Sequence, residues 1–253
     1  MEVIFLGTGT SQGIPVIGSK DPVCLSADIK DKRFRSSVFI SSKDTQFVID
    51  CGPDFRQQML QNNIDNVEAI LFTHEHSDHT AGIDDIRPFC HRKGAMPIYA
   101  HKRVIESLEE RFGYIFATEN RYYGAPSVKS HVIKNKPFNL GLTEIIPINC
   151  IHGSIQVYGF RIEDFAYLTD VKSVEEEEVA KLNKLDVLVI NALRIEKHPT
   201  HFNLEEALAF IEKVNPNKAY ITHISHKLGF HEEVQKTLPK NVFLAYDNLK
   251  ISV

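Results

Sequence analysis

The sequence predicts an α/β fold, a sandwich of two halves, on three observations. Short apolar runs bounded by Gly, Pro, Asp or Ser recur through the first half, and the second half repeats that grammar. Stretches of helical periodicity fall between them. With 253 residues, 43% of them hydrophobic, the chain can bury a large core, as one domain over 1–253 or as one sandwich.

Strands are expected at 3–6, 37–40, 46–49, 69–72 and 98–100, then at 144–149, 156–161, 166–168, 186–190, 219–221 and 242–245. Helices are expected at 54–61, 80–91, 103–111, 174–182, 204–213 and 232–237. Two of them have legible starts, Ser173 with Glu176 and Asn203 with Glu206, each at capping-box spacing. The acidic run 175–178 then lies in a first helical turn, where the helix dipole favours anions. No internal repeat or low-complexity linker divides the chain.

Charge and composition narrow the function classes. A formal net charge of -4 with no basic block lacks the phosphate attraction of a nucleic-acid coat protein, while a small docked phosphate ester remains compatible. The opening 1–6 reads as a strand rather than a signal peptide, and no run is long enough to cross a bilayer. Cys24, Cys51, Cys90 and Cys150 lie far apart without a CxxC pair, which fits packing roles in a reducing, cytoplasmic setting.

The chemistry concentrates in His74-Glu75-His76-Ser77-Asp78-His79, three histidines and two carboxylates in six positions at the end of an apolar strand. Imidazole with carboxylate suits borderline divalent cations such as Zn2+ or Mn2+. Further candidates, His152, Asp170 and His223, also follow predicted strands, and side chains at one edge of a sandwich can converge. The count closes if His74, His76 and His152 hold one ion, Asp78, His79 and His223 a second, with Asp170 between them. Two divalent charges about 3.5–4 Å apart would lower the pKa of a shared water and supply hydroxide at neutral pH.

On these motifs the chain resembles the metallo-β-lactamase-fold hydrolases, from Gly7-Thr8-Gly9-Thr10-Ser11 to Ala245-Tyr246-Asp247. The resemblance implies a four-layer αβ/βα sandwich with the metal site at the edge between the sheets. It also implies dinuclear ligands at His74, His76, Asp78, His79, His152, Asp170 and His223. The opening through Gly13-Ile14-Pro15, the segment Asp50-Cys51-Gly52-Pro53-Asp54-Phe55-Arg56 and Thr200-His201 are similar to the phosphodiesterase branch. That branch includes the phosphoribosyl cyclic phosphate phosphodiesterases of phosphonate breakdown and, more distantly, ribonuclease Z. Relatives of the first kind carry a G-C-x-C-x-x-C pattern for a structural zinc. Here Gly18-Ser19-Lys20-Asp21-Pro22-Val23-Cys24 leaves Cys24 and His226, with Asp21 as an added donor, so that third site is expected to be weak or absent.

The remaining polar positions take roles by chemistry. Asp50 either orients the metal-binding loop or simply forms the turn before Gly52-Pro53. His201 is the expected general acid for an alkoxide leaving group and, with Asp78, the expected catalytic pair; His198 lies three residues away across Pro199. Gly7, Gly9 and Gly13 are expected to make a tight turn lining the cleft. The stretch 112–142, rich in aromatic and basic residues, reads either as a lid or as a packed connection. The leading expectation is a dinuclear metal phosphodiesterase of small or cyclic phosphodiesters, forming a homodimer, with no membrane partner and nucleic acid not favoured. The alternatives are a thioester or lactone hydrolase, a tRNA 3'-processing nuclease, and an inactive metal-binding interaction protein.

Overall fold

Two mixed sheets organise the chain, whose computed structural model describes residues 1–253. The strands are β1 (Glu2–Gly7), β2 (Ser37–Ser42), β3 (Thr45–Ile49), β4 (Ala69–Leu71), β5 (Met96–Ala100), β6 (Val128–Val132), β7 (Phe138–Leu140), β8 (Thr143–His152), β9 (Ile155–Ile162), β10 (Phe165–Leu168), β11 (Ser173–Val174), β12 (Val187–Asn191), β13 (Lys218–Thr222), β14 (Val242–Leu244) and β15 (Lys250–Ser252). The first sheet has the order β15-β1-β2-β3-β4-β5-β6; the second runs β11-β8-β9-β10-β12-β13-β14, with β7 added on β8.

Strand direction places the chemistry. In the first sheet β3, β4 and β5 are mutually parallel, so the chain leaves β3 at Asp50 and β4 at Thr73-His74 on one edge. In the second sheet β10, β12 and β13 are parallel, and β8 runs the same way because β9 lies antiparallel between it and β10. His152, Asp170 and His223 therefore emerge from one edge as well. Ligand sites gather at such carboxyl edges because the strand ends hold loops rigidly side by side.

Burial shows the layers. Phe5, Ile40, Phe47 and Leu71 of the first sheet meet Ile145, Phe160, Tyr167 and Val189 of the second in a fully buried seam. On the outer face of the first sheet, Ile70, Phe72 and Ile98 pack on Val104, Ile105 and Leu108 of the helix Lys102–Arg111. Leu188 and Ile190 do the same with Ala207, Phe210 and Ile211 of the helix Leu204–Val214. This is the expected four-layer sandwich. All four cysteines are buried and unpaired, and no helix is long and apolar enough to cross a membrane.

Several expected elements change. The helix at 80–91 is broken into Ser77–Thr80, a 3-10 turn Ile83–Ile86 and Arg87–Lys93. Gly82 packs where a Cβ would come 2.0 Å from the carbonyl oxygen of Gly52, and Pro88 opens a fresh helix. The capping box at Ser173 and Glu176 does not form. Ser173 and Val174 pair instead with Ile151 and Cys150, so the helix begins at Glu176, and tertiary pairing overrides local capping. The box at Asn203 does form, with Glu206 N donating to Asn203 Oδ1 at 3.0 Å and Asn203 N to Glu206 Oε2 at 3.0 Å. Strands β6, β7, β11 and β15 add to those expected; β6, with exposed Lys129 and Ser130, is an edge strand without an apolar run.

Candidate metal centre

Asp50, Asp170 and His223 each follow a strand and adopt left-handed backbone conformations, with φ of 66°, 57° and 55°. Outside glycine and asparagine this region is uncommon, and at these three positions it turns the chain sharply just beyond the strand end, where the side chains meet. Across the edge, Gly52 lets the loop after Asp50 press against the helix Ser77–Thr80; a Cβ there would lie 2.1 Å from the Asp78 carbonyl oxygen. The Cys51 amide donates to the His79 carbonyl at 2.8 Å and fixes this contact.

All seven sequence-predicted ligands come together. One nitrogen each of His74, His76 and His152 fall within 4.8 Å of one another, as do donor atoms of Asp78, His79 and His223. His74, His79 and Asp170 form a third such group, so the two sets share an edge. Asp170 Oδ2 lies 3.1 Å from both His79 Nε2 and His223 Nδ1, while its Oδ1 is 2.9 Å from His201 Nε2. Asp170 thus stands between the groups.

Each buried imidazole is held by its other nitrogen. His79 Nδ1 donates to Asp50 Oδ2 at 2.7 Å, and His152 Nδ1 to the Thr200 carbonyl at 2.8 Å. The Thr73 hydroxyl donates to Asp50, leaving its lone pair for His74 Nδ1 at 2.9 Å. His223 Nε2 meets Thr10 Oγ1 at 3.2 Å, which gives the Gly-Thr-Gly-Thr turn its place in the cleft. These contacts set tautomer and ring orientation.

The inward atoms fit divalent cations. Nε2 of His74 is buried without a hydrogen-bond partner, and Nε2 of His79 faces the carboxylates of Asp78 and Asp170, each at 3.1 Å. Burial pushes His74 well below the ordinary imidazole range and His223 down to about 4, so both are neutral, as a metal ligand must be. Burial opposes charge on His79 too, but the carboxylates of Asp78, Asp170 and Asp50 outweigh it and hold this imidazole well above its usual range. Burial likewise works against Asp78 and Asp170, yet the neighbouring His79 and His223 hold both below the usual carboxylate range. The centre gathers excess negative charge that a metal cation satisfies.

Asp50 is fully buried and also accepts from the Thr73 amide at 2.9 Å, which favours orienting the loop over simple turn formation. Replacing it with asparagine, which tolerates the same backbone, should weaken metal binding about 10–100-fold. Zn2+ titration against a chromophoric chelator measures this; unchanged affinity would remove Asp50 from the centre.

His201 is buried with Nε2 on Asp170, and its Nδ1 lies 2.9 Å from Thr200 Oγ1 and 3.2 Å from His198 Nδ1. His198 stands behind it, with ring centroids 5.0 Å apart. Glu75 turns away from the cluster: Arg103 Nη2 donates to its Oε2 at 3.1 Å. In the loop where a third metal site is expected to be weak or absent, Asp21 accepts from the Val23 amide at 2.9 Å and Cys24 Sγ from the Val16 amide at 3.5 Å. His226 Nδ1 is buried without a hydrogen-bond partner. Within 112–142, Tyr114 stacks on Tyr122 and donates to Asp84 Oδ1 at 2.7 Å, while β6 and β7 extend the two sheets. Thr10, Thr73 and Arg103 are the contributors that sequence reasoning missed; their signal lies in contacts across the fold.

Comparison with known proteins agrees with this architecture. A family model described as "Beta-lactamase superfamily domain" matches residues 45–224. The chain is 38% identical over 254 residues to an octanoyltransferase of Porphyromonas gingivalis, covering 99% of this chain and 51% of that protein. Ribonuclease Z of Bacillus subtilis is 25% identical over 169 residues, 65% of this chain and 49% of that enzyme. The chain therefore spans about half the length of these two curated relatives. The crystal structure of a diphosphatase from the PhnP family superposes with a TM-score of 0.92 at 38% identity, covering 100% of this chain and 97% of that one. The chain belongs to the beta-lactamase superfamily, a superfamily of hydrolases, and has the metallo-β-lactamase fold.

Proposed function

We propose that the protein is a dinuclear metal-dependent phosphodiesterase acting on a small or cyclic phosphodiester. The observation that carries the reading is Asp170, one oxygen placed between two groups of metal-type donors and the other on His201. His74, His76 and His152 would hold one divalent ion and Asp78, His79 and His223 the other, with Zn2+ or Mn2+ fitting these donors. When bound, such a pair supplies Lewis-acid charge and lowers the pKa of water.

The chain's own residues complete the chemistry. His201 holds a proton at Nε2 against Asp170 and releases it to the departing alkoxide, the step a phosphodiester requires and a good acyl leaving group does not. Beside Thr10 lies a cavity of about 170 Å³ lined by Ser11, Arg194, Ser225 and Lys227. Arg194 donates to the carbonyls of Glu196 and Lys197, so its charge stays available to a phosphate group. The similarity to the PhnP-family diphosphatase over the whole chain supports this reading.

A second reading is acyl hydrolysis on the same centre, favoured by the relative named an octanoyltransferase, a protein about twice as long. Parallel assays with bis-p-nitrophenyl phosphate and an octanoyl thioester separate them. Turnover of the phosphodiester supports the proposal; turnover of the thioester alone would overturn it.

A further inference from the structure

We propose that Arg103 is a positioning residue that sets the separation between the His74–His76 loop and the hairpin bearing His152, and so governs binding of one of the two metal ions. The inference rests on the metal-binding reading above. Arg103 lies in the first turn of the helix Lys102–Arg111, outside the ligand cluster. Its Nε lies 2.9 Å from Glu75 Oε1 and its Nη2 donates to Glu75 Oε2 at 3.1 Å. The same Nη2 donates to the carbonyl oxygen of Gln156 at 2.6 Å.

These partners belong to the two halves of one ligand group. Glu75 is the residue between His74 and His76. Gln156 follows Ile155, the residue paired with His152 across the β8–β9 hairpin. One planar guanidinium therefore ties together the first-sheet and second-sheet elements that supply His74, His76 and His152. A planar fork can fix two acceptors at a set distance, which a point charge cannot.

The rest of the helix makes the grip one-sided. Arg111 Nη2 donates to the Glu75 carbonyl at 2.9 Å and to Thr80 Oγ1 at 3.0 Å, and the Thr80 hydroxyl donates to the His76 carbonyl at 2.8 Å. Arg111 holds the ligand loop alone; Arg103 joins that loop to the hairpin. The sheets are also linked by the Tyr158 amide donating to the Thr73 carbonyl at 3.0 Å, so loss of Arg103 changes spacing without separating them. In the other group His79 is held by Asp50 and His223 by Thr10, while Asp78 lies 3.1 Å from His79 Nε2, and none of these contacts involves Arg103.

The test is Zn2+ titration of the full chain against a chromophoric chelator, with visible spectra of the Co2+-loaded protein. Wild-type protein should bind two ions. Arg103→Ala should weaken one of them about 10–100-fold, leave the other unchanged, and perturb the Co2+ spectrum of the weakened step alone. In an Asp78→Ala background, where His74, His76 and His152 remain, the loss should be of the same size. Arg103→Lys should restore little. Should Arg103→Ala not fold, Arg103→Lys and Glu75→Gln carry the same comparison. Equal weakening of both ions, full recovery with lysine, or unchanged affinities would overturn the proposal while leaving the metal reading intact. Wild-type protein that binds no second ion would overturn the reading beneath it, and the proposal with it.

Discussion

Asp170→Asn is expected to reduce phosphodiester turnover by about 10²–10³-fold or more while leaving the chain folded. Asparagine has the shape of aspartate and accepts the left-handed backbone found at this position, so the substitution isolates the charge. Asp170 is within 3.1 Å of His79 Nε2 and His223 Nδ1 and 2.9 Å from His201 Nε2, and no other carboxylate contacts all three. Its neutral replacement removes the anion shared by both donor groups. Metal content per chain and kcat/KM for bis-p-nitrophenyl phosphate are the measurements. A variant that keeps two ions and full activity would show that Asp170 does not bridge the groups.

Legibility of the site follows the range of the interactions involved. The cluster from His74 to His79 is readable because ligand type and spacing are local, and His152, Asp170 and His223 are readable because each ends a recognisable strand. Their convergence needs only parallel strand ends, which the alternation of strands and helices already implies. Glu75 is different. In sequence it is one more carboxylate among ligands, and only Arg103, 28 residues away, takes it out of the cluster. Thr10, Thr73 and Thr200 are equally hidden, since hydroxyl residues fill turns everywhere and their role depends on which ring nitrogen they face. The same logic explains the fold-level differences. Pairing with Cys150 and Ile151 draws Ser173 and Val174 into a strand despite their capping spacing, and β6 is a lysine-bearing edge without the apolar face that makes a strand visible.

His201→Ala should separate two kinds of ester. For substrates with poor alkoxide leaving groups, turnover should fall about 10²–10⁴-fold, because the leaving oxygen needs a proton as its bond to phosphorus breaks. For p-nitrophenyl esters the loss should be small, since p-nitrophenolate departs as an anion unaided. The geometry suits this role: Nε2 faces Asp170 Oδ1 at 2.9 Å, inside the centre, while Nδ1 is steadied by Thr200 Oγ1 at 2.9 Å. His198, which contacts only the far side of the ring, should show a weaker version of the same dependence when replaced by alanine. A leaving-group series plotted for wild type and His201→Ala makes the distinction quantitative, because loss of the acid steepens the dependence on leaving-group pKa. Parallel lines, with both esters slowed equally, would assign His201 to holding Asp170 in place rather than to proton transfer.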